Sequence, residues 1–243
     1  MEKLHRTVPL KSLISTYRAN ARKSYLASRL KKTNFTIISD DCWGSVIYQE
    51  LGIKYMTPFV GTQVMTPCYI KILSNLKYYL SSQIVFRNFS KYRKVDDYRK
   101  SSNSYFPLGV IDDDIEIQFI HYQSEQEAYE KWYRRIDRMD WQNIYFKLDE
   151  IKLGATSELI QRYFTICPEN SISFRGKDNS GSREFCQRRI SIPNYTENGY
   201  LLFYISLGYF DPVTWINQDK YLPSKFHQTM FHLLFPRISS PIS

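Results

Sequence analysis

The sequence lacks any run of the roughly 18 apolar residues that a membrane-spanning helix requires, so the expected chain is soluble or peripheral. Its first residues carry neither a continuous apolar stretch nor a small-residue cleavage site, so they do not read as a secretion signal and the expected location is cytoplasmic. Cysteine is sparse. The four, Cys42, Cys68, Cys167 and Cys186, form no C-x-x-C and have no histidine at zinc-finger spacing, which argues against a disulfide framework or a structural zinc. They read as free thiols, a state in which cysteine is usually a small buried hydrophobe. No P-loop, G-x-G-x-x-G, H-E-x-x-H or G-x-S-x-G occurs, so the standard ATPase, dehydrogenase, zinc protease and hydrolase patterns find no support.

What is present is a chain of 243 residues, 43% hydrophobic and 23% charged, large enough to bury its own core as one domain or two small ones. The net charge of +9 is unevenly placed. Residues 1–33 hold nine basic side chains against one acid, which leaves the remaining 210 residues with 24 basic and 23 acidic. A neutral body gives no basic face for phosphate backbones, so no nucleic acid partner is expected. Over 9–28, Leu10, Ile14, Tyr17, Ala21 and Tyr25 share one helical arc and Lys11, Arg18, Arg22 and Arg29 an adjoining one. This basic amphipathic helix either lies on anionic lipid headgroups or packs, solvated, on the body.

Beyond it, 34–38 reads as a strand, 39–44 as a polar turn, and 46–51 as a helix closed by Gly52. Residues 69–80 read as one helix, and 87–104 as a loop or subdomain seam. Asp112-Asp113-Asp114 leads into alternating Ile115, Ile117 and Phe119, a strand entered through an acidic turn. Ser124-x-x-Glu127 is a capping box opening a helix toward Met139, Ile144 to Leu148 a buried strand ending at Asp149, and Thr156 the cap of another helix. A strand over 171–174, a loop over 177–183 and an aromatic strand over 200–210 complete the reading. Alternating strands and helices predict an α/β fold with a mixed or mostly parallel sheet, flanking helices, and two unlike α/β parts in a 34–243 body.

Chemistry concentrates in two places. At the carboxyl end of the first strand, Cys42 beside a helix start offers a nucleophile, although Asp40 and Asp41 push a thiol's pKa upward. Those acids suit a sugar hydroxyl, a cation or a helix cap. Asp112 and Asp114 have the spacing by which two carboxylates hold a metal on a diphosphate, and also that of a solvated turn. His121, at the end of the second strand, is the best-placed general base among four histidines. Arg134 and Arg135 on the next helix could neutralise phosphate or carboxylate. Tyrosine is abundant, 20 residues against 15 Phe, which suits sugar rings and nucleobases as well as a core.

Phe35-Thr-Ile-Ile-Ser-Asp-Asp-Cys-Trp-Gly44, Ile47-Tyr-Gln-Glu-Leu-Gly-Ile53, Thr57-Pro-Phe-Val-Gly61, Pro107-Leu-Gly-Val110 and Asp114-Ile-Glu-Ile-Gln-Phe-Ile-His-Tyr122 together resemble a bacterial family usually described as exopolysaccharide biosynthesis proteins, a domain of unknown function. The likeness covers roughly 34–178. Ser45 departs from an expected second glycine and Gln118 from an expected histidine, which leaves His121 alone and weakens a histidine-metal reading. The resemblance implies a pathway, that of capsule, exopolysaccharide and O-antigen synthesis, in the cytoplasm or peripherally at the inner membrane face.

Weighed by chemistry, its motif residues form the expected site: His121, Asp41 and Cys42 as catalytic groups; Ser39, Asp40, Trp43, Gly44, Tyr48, Tyr122, Arg134 and Arg135 against substrate; Asp112 and Asp114 on a metal. The expected function is transfer onto a sugar or a lipid-linked oligosaccharide. Glycosyl transfer would use a nucleotide sugar with Mn or Mg, and acyl transfer an acyl donor with Cys42. The other reading is a non-catalytic scaffold bound to the membrane surface through 1–33.

Overall fold

A computed structural model describes residues 10–167, 169–176 and 188–218, with side chains from residue 15 onward. The expected loop over 177–183, Cys186, His5, His227, His232, Lys3 and Arg6 lie outside the described residues. In chain order the elements are α1 (Leu10–Arg29), β1 (Thr36–Ser39), α2 (Trp43–Leu51), α3 (Thr66–Ser74), α4 (Leu76–Ser81), β2 (Val85–Arg87), α5 (Arg93–Ser101), β3 (Leu108–Ile111) and β4 (Ile115–Gln118). They continue with α6 (Glu125–Ile136), β5 (Ile144–Asp149), α7 (Ser157–Ile166), β6 (Ser171–Arg175), β7 (Arg189–Ser191), α8 (Gly199–Ser206) and α9 (Pro212–Ile216). Among the described residues, no helix is long and apolar enough to cross a membrane.

The main sheet has the order β1-β5-β6-β7 and all its pairings are parallel. A parallel sheet is covered on both faces, so its strands read as apolar runs rather than as an alternation. Adjacent residues Ile37 and Ile38 accordingly enter different cores. Ile37, Tyr145, Ile172 and Phe174 pack with α2, α8 and α9, whereas Ile38 and Leu148 pack with α3, α6 and α7. The first core is aromatic at its centre, where the Trp43 ring lies 5.1 Å from Phe174 and 6.2 Å from Trp215. Such pairs contribute about 0.5–1.5 kcal/mol each beyond area burial.

A smaller antiparallel sheet, β2-β3-β4, is inserted between β1 and β5. The segment 60–65 docks it to the main sheet: Val64 N–H donates to the Asp40 carbonyl (2.9 Å), while Gln63 and Gln118 exchange backbone bonds of 2.8 and 2.9 Å. Fold class therefore agrees with the sequence reading, α/β with a parallel sheet and a second, unlike part. The caps Ser124 and Thr156 also act as expected, accepting from Glu127 N and Leu159 N.

Three local expectations differ, and a fourth gains a partner. Residues 69–80 are two helices, α3 and α4, because Asn75 between them is non-helical (φ −150°, ψ 65°). The stretch read as a loop over 87–104 contains α5. The acidic turn does lead into a strand as expected, β4, and also joins it to β3: Asp112 and Asp113 both have positive φ (50° and 57°), the hand that lets β3 and β4 twist together. Finally, 200–210 is not a strand. Asn198 caps α8 by accepting from Leu201 N, and Leu202, Phe203 and Ser206 are buried at helical spacing, so packing overrides the β preference of the aromatics.

Helix α1 forms as its periodicity predicts, and it is tied to the body. Leu26 is buried in the core, Arg22 makes a two-pronged ion pair with Glu50, and Arg29 pairs with Asp211. Those two basic side chains are thereby committed to protein carboxylates, while Arg18 and Lys23 face solvent.

Candidate functional site

Because the four strands run in one direction, their carboxyl ends share one edge of the sheet, the edge where α/β folds place ligands. Charge collects there. Ser39, the last residue of β1, is in register with Lys147 of β5. Lys147 is fully buried on the same strand face as Tyr145, and its ammonium donates to Asp40 (3.0 Å) and Asp41 (2.7 Å). Lys152, also buried, donates to the Asp40 carbonyl at 2.8 Å, with its ammonium 3.6 Å from the Asp40 carboxylate and 3.9 Å from that of Asp41. The backbone N–H of Asp149 donates to the other Asp40 oxygen at 2.9 Å.

Asp41 is positioned from three sides. Its Oδ1 accepts from Ser39 Oγ (3.1 Å) and from Trp43 N (2.9 Å) at the start of α2, and its Oδ2 meets Lys147. Two glycines permit this closeness. A Cβ on Gly44 would stand 2.9 Å from Ile37 and Ser39, and one on Gly199 would stand 2.8 Å from Asp41 Cγ and 3.0 Å from Cys42 N.

The pKa shifts follow from the arrangement. Burial opposes the charged form of Asp41, but Lys147 and Lys152 outweigh it and hold the carboxyl at about 2. At Asp149 burial dominates, reinforced by Asp40 and Asp41 against the two lysines, and the carboxyl is pushed up to about 6. Its Oδ2 and the Tyr195 hydroxyl are both buried without a hydrogen bond of normal geometry, yet the phenol is pushed up by burial and then by Asp149. Burial and Asp41 push the Cys42 thiol up to about 12, so it stays protonated near neutral pH.

Above the cluster opens a cleft of two lobes. The first, about 690 Å³, has Asp149 and Lys152 on its floor and Lys94 on its wall. The second, about 620 Å³, is lined by Asp41, Cys42, His121, Tyr105 and Tyr200. The lobes share Gln63, Tyr98, Phe106, Ile120, Glu197 and Asn198. Helix α5, read from sequence as a loop, supplies Lys94 and Tyr98 to the wall.

A family model described as a domain of unknown function, DUF1919, matches residues 13–217. The chain belongs to the DUF1919 family. An uncharacterized protein of Haemophilus influenzae is 30% identical over 152 residues, which cover 63% of this chain. The match spans 66% of that relative, just under two thirds of its length.

In this DUF1919 domain the expected site residues separate into groups. Asp41, Cys42 and His121 all line the second lobe, with Ser39 and Asp40 buried beneath it in the charge cluster. Gly44 serves close packing of α2 on β1. Trp43 and Tyr48 are corrected to core residues, both fully buried. The Trp43 indole donates to Ser206 Oγ, and the Tyr48 hydroxyl bridges Ile37 N and the Phe35 carbonyl, so neither ring is left for a substrate.

Tyr122 and Arg135 are bound to each other and to the Val60 carbonyl, outside the cleft lining, and Arg134 is exposed on α6. Asp112 and Asp114 sit at the β3–β4 turn, also outside the lining, and the Asp114 carboxylate is taken by Lys71 and Lys91 at 2.7 Å each. These donors do not fit a divalent metal, and no group of three His, Cys, Asp or Glu with that capacity occurs among the described residues. The two departures from the family pattern take local roles: Ser45 Oγ donates to the Cys42 carbonyl (2.7 Å), and Gln118 lines the first lobe.

Sequence reading missed Lys147, Asp149, Lys152 and Tyr195. A signal existed for the first three: a lysine inside Ile144-Tyr-Phe-Lys-Leu-Asp149, an otherwise apolar buried strand, demands a counter-charge, and Asp149, Glu150 and Lys152 cluster at its carboxyl end. For Tyr195 the sequence holds no comparable signal.

Proposed function

We propose that this DUF1919 protein is a transferase of surface-polysaccharide synthesis that moves a group onto a hydroxyl of a sugar held in the cleft, with Asp149 as general base. The observation that carries the reading is the Asp149 carboxylate: buried at the floor of a cleft, raised to about 6, and with Oδ2 facing the Tyr195 hydroxyl rather than a lysine. A base is most effective when its pKa lies near the working pH, and a burial-shifted carboxylate in a cleft marks a functional site. The acceptor hydroxyl gives its proton to Asp149 Oδ2 while its oxygen bonds to the transferred carbon and the bond to the leaving group breaks. Lys147 and Lys152 keep the neighbouring Asp40 and Asp41 charges in place, and Asp41 or His121 orients the acceptor from the second lobe.

The pathway rests on the resemblance carried by 35–61 and 107–122. Within it, the protonated Cys42 thiol favours direct transfer, such as glycosyl transfer from a sugar nucleotide, over an acyl-enzyme. The acceptor in this reading is a lipid-linked glycan at the cytoplasmic membrane face, toward which exposed Arg18 and Lys23 of α1 would turn.

The test incubates the full chain with nucleotide sugars or acetyl-CoA and a lipid-linked oligosaccharide fraction, with products followed by mass spectrometry. Product is expected to rise with pH through about 6 and to fall about 10²- to 10⁴-fold in Asp149→Asn. Absence of product from every donor, or turnover indifferent to that substitution, overturns the proposal.

A further inference from the structure

The two lobes differ in charge, and the difference bears on what each holds. Lysine appears only in the first, where Lys94 and Lys152 stand with Asp149 and with Glu197, which both lobes share. Among the described residues, neither Lys nor Arg lines the second, which carries Asp41 and Glu197. A phosphate or a nucleotide diphosphate there would face Glu197 and Asp41 with no cation in the lining, because the Lys147 that pairs with Asp41 is buried beneath it, an unfavourable arrangement in a partly enclosed site.

The second lobe instead gathers exposed aromatic rings, Tyr105 and Tyr200 of its own and Tyr98 shared with the first. Tyr98, Tyr105 and Tyr200 are 57%, 60% and 49% exposed and come from three separate parts of the chain, α5, the 102–107 link and α8. Burial does not explain their placement, since each leaves about half of its surface in water at one cleft mouth. Two of them are also held in place. The Tyr200 ring meets Tyr204 edge-on at 5.1 Å, with the two hydroxyls 3.3 Å apart, and Arg99 lies 6.0 Å from the Tyr105 ring.

Flat apolar faces beside amides and carboxylates, without cations, match the surface of an uncharged sugar ring, whose C–H face stacks while its hydroxyls donate and accept. We infer that the second lobe is the acceptor subsite and takes a neutral saccharide ring stacked on Tyr98, Tyr105 and Tyr200, while the lysine-bearing first lobe takes the anionic part of the donor. This deepens the transferase reading and rests on it for the words donor and acceptor.

The test measures binding apart from turnover. The full chain is applied to an array of neutral and acidic mono- to hexasaccharides, with Tyr98→Ala, Tyr200→Ala and Glu197→Lys in parallel and thermal unfolding confirming that each variant folds. Neutral saccharides are expected to be retained over acidic ones. Retention should fall about three- to tenfold in either tyrosine variant and shift toward acidic saccharides in Glu197→Lys. No retained neutral saccharide, a preference for acidic ones in the natural chain, or folded tyrosine variants that bind undiminished would overturn the inference. Saccharide binding without turnover by any donor would defeat the transferase reading while leaving this subsite standing.

Discussion

Asp40-Asp41 and Asp112-Asp113-Asp114 look alike in the sequence: each is an acidic run that directly follows a short, buried, β-branched strand. Their surroundings make them opposites. The first run lies at the carboxyl edge of a parallel sheet, fully or almost fully buried, against two lysines supplied from more than a hundred residues away. The second caps a hairpin in water, where Lys71, Lys91 and Arg87 answer it from exposed positions. Charge in the interior is expensive to strand and changes its neighbours' pKa values, whereas charge at the surface is screened and nearly neutral in energy. An acidic run therefore becomes chemistry only where the fold removes it from water.

The sharpest way to break this contrast is to remove one cation from each cluster. Lys147→Met leaves Asp40 and Asp41 buried without their closest partner, with an expected loss of about 3–5 kcal/mol in urea unfolding. Lys91→Ala at the hairpin should cost less than about 1 kcal/mol. Equal losses would show that the two clusters are energetically the same.

Asp149→Asn probes the interior more finely. A carboxyl raised in the folded state binds its proton more tightly there than in the unfolded chain, so it lowers stability as pH rises from about 4 through 6. The variant lacks that decline. It should be more stable than the natural protein by roughly 2–3 kcal/mol at pH 8 and lose the advantage near pH 4, a pattern that pH-dependent thermal unfolding reads directly. An advantage independent of pH would mean that the carboxyl is not shifted.

Gly199→Ala tests how closely α8 must approach the acids. The added methyl would overlap Asp41 Cγ, and a cost of about 1–3 kcal/mol is expected, with a neutral result indicating that the helix start can retreat. The smallest effect belongs to the hairpin. Asp114 is held at about 2 by hydrogen bonds from Lys71 and Lys91, so its contribution is present above the ordinary carboxylate range and fades as pH falls toward 2. Asp114→Asn should change stability by well under about 1 kcal/mol, less still in 0.5 M salt, and leave the cleft untouched.

Much of the fold was readable because its signals are local. Ser124 and Thr156 cap the helices they announce, and the polar turn after β1 lies at the sheet edge where its residue types had placed it. The candidate site was readable only in part. Asp41, Cys42 and His121 do share one lobe, but Trp43 and Tyr48, neighbours of that turn, face away into the core because a helix starting at Trp43 sends successive side chains around its axis. The aromatic segment after Asn198 misled for a related reason: ring-rich composition favours a strand, and burial against α2 selects a helix.

By itself the sequence determined the alternation of strands and helices, the buried character of the sheet strands, the helix caps and the uneven distribution of charge, all properties carried by residues a few positions apart. Only the tertiary structure decided which acids are buried, that Lys147 and Lys152 stand beside them, and that Asp149 is the carboxyl whose proton is held near pH 6. Electrostatic environment is set by distance and solvent exclusion, and those depend on groups that the fold brings together from distant parts of the chain.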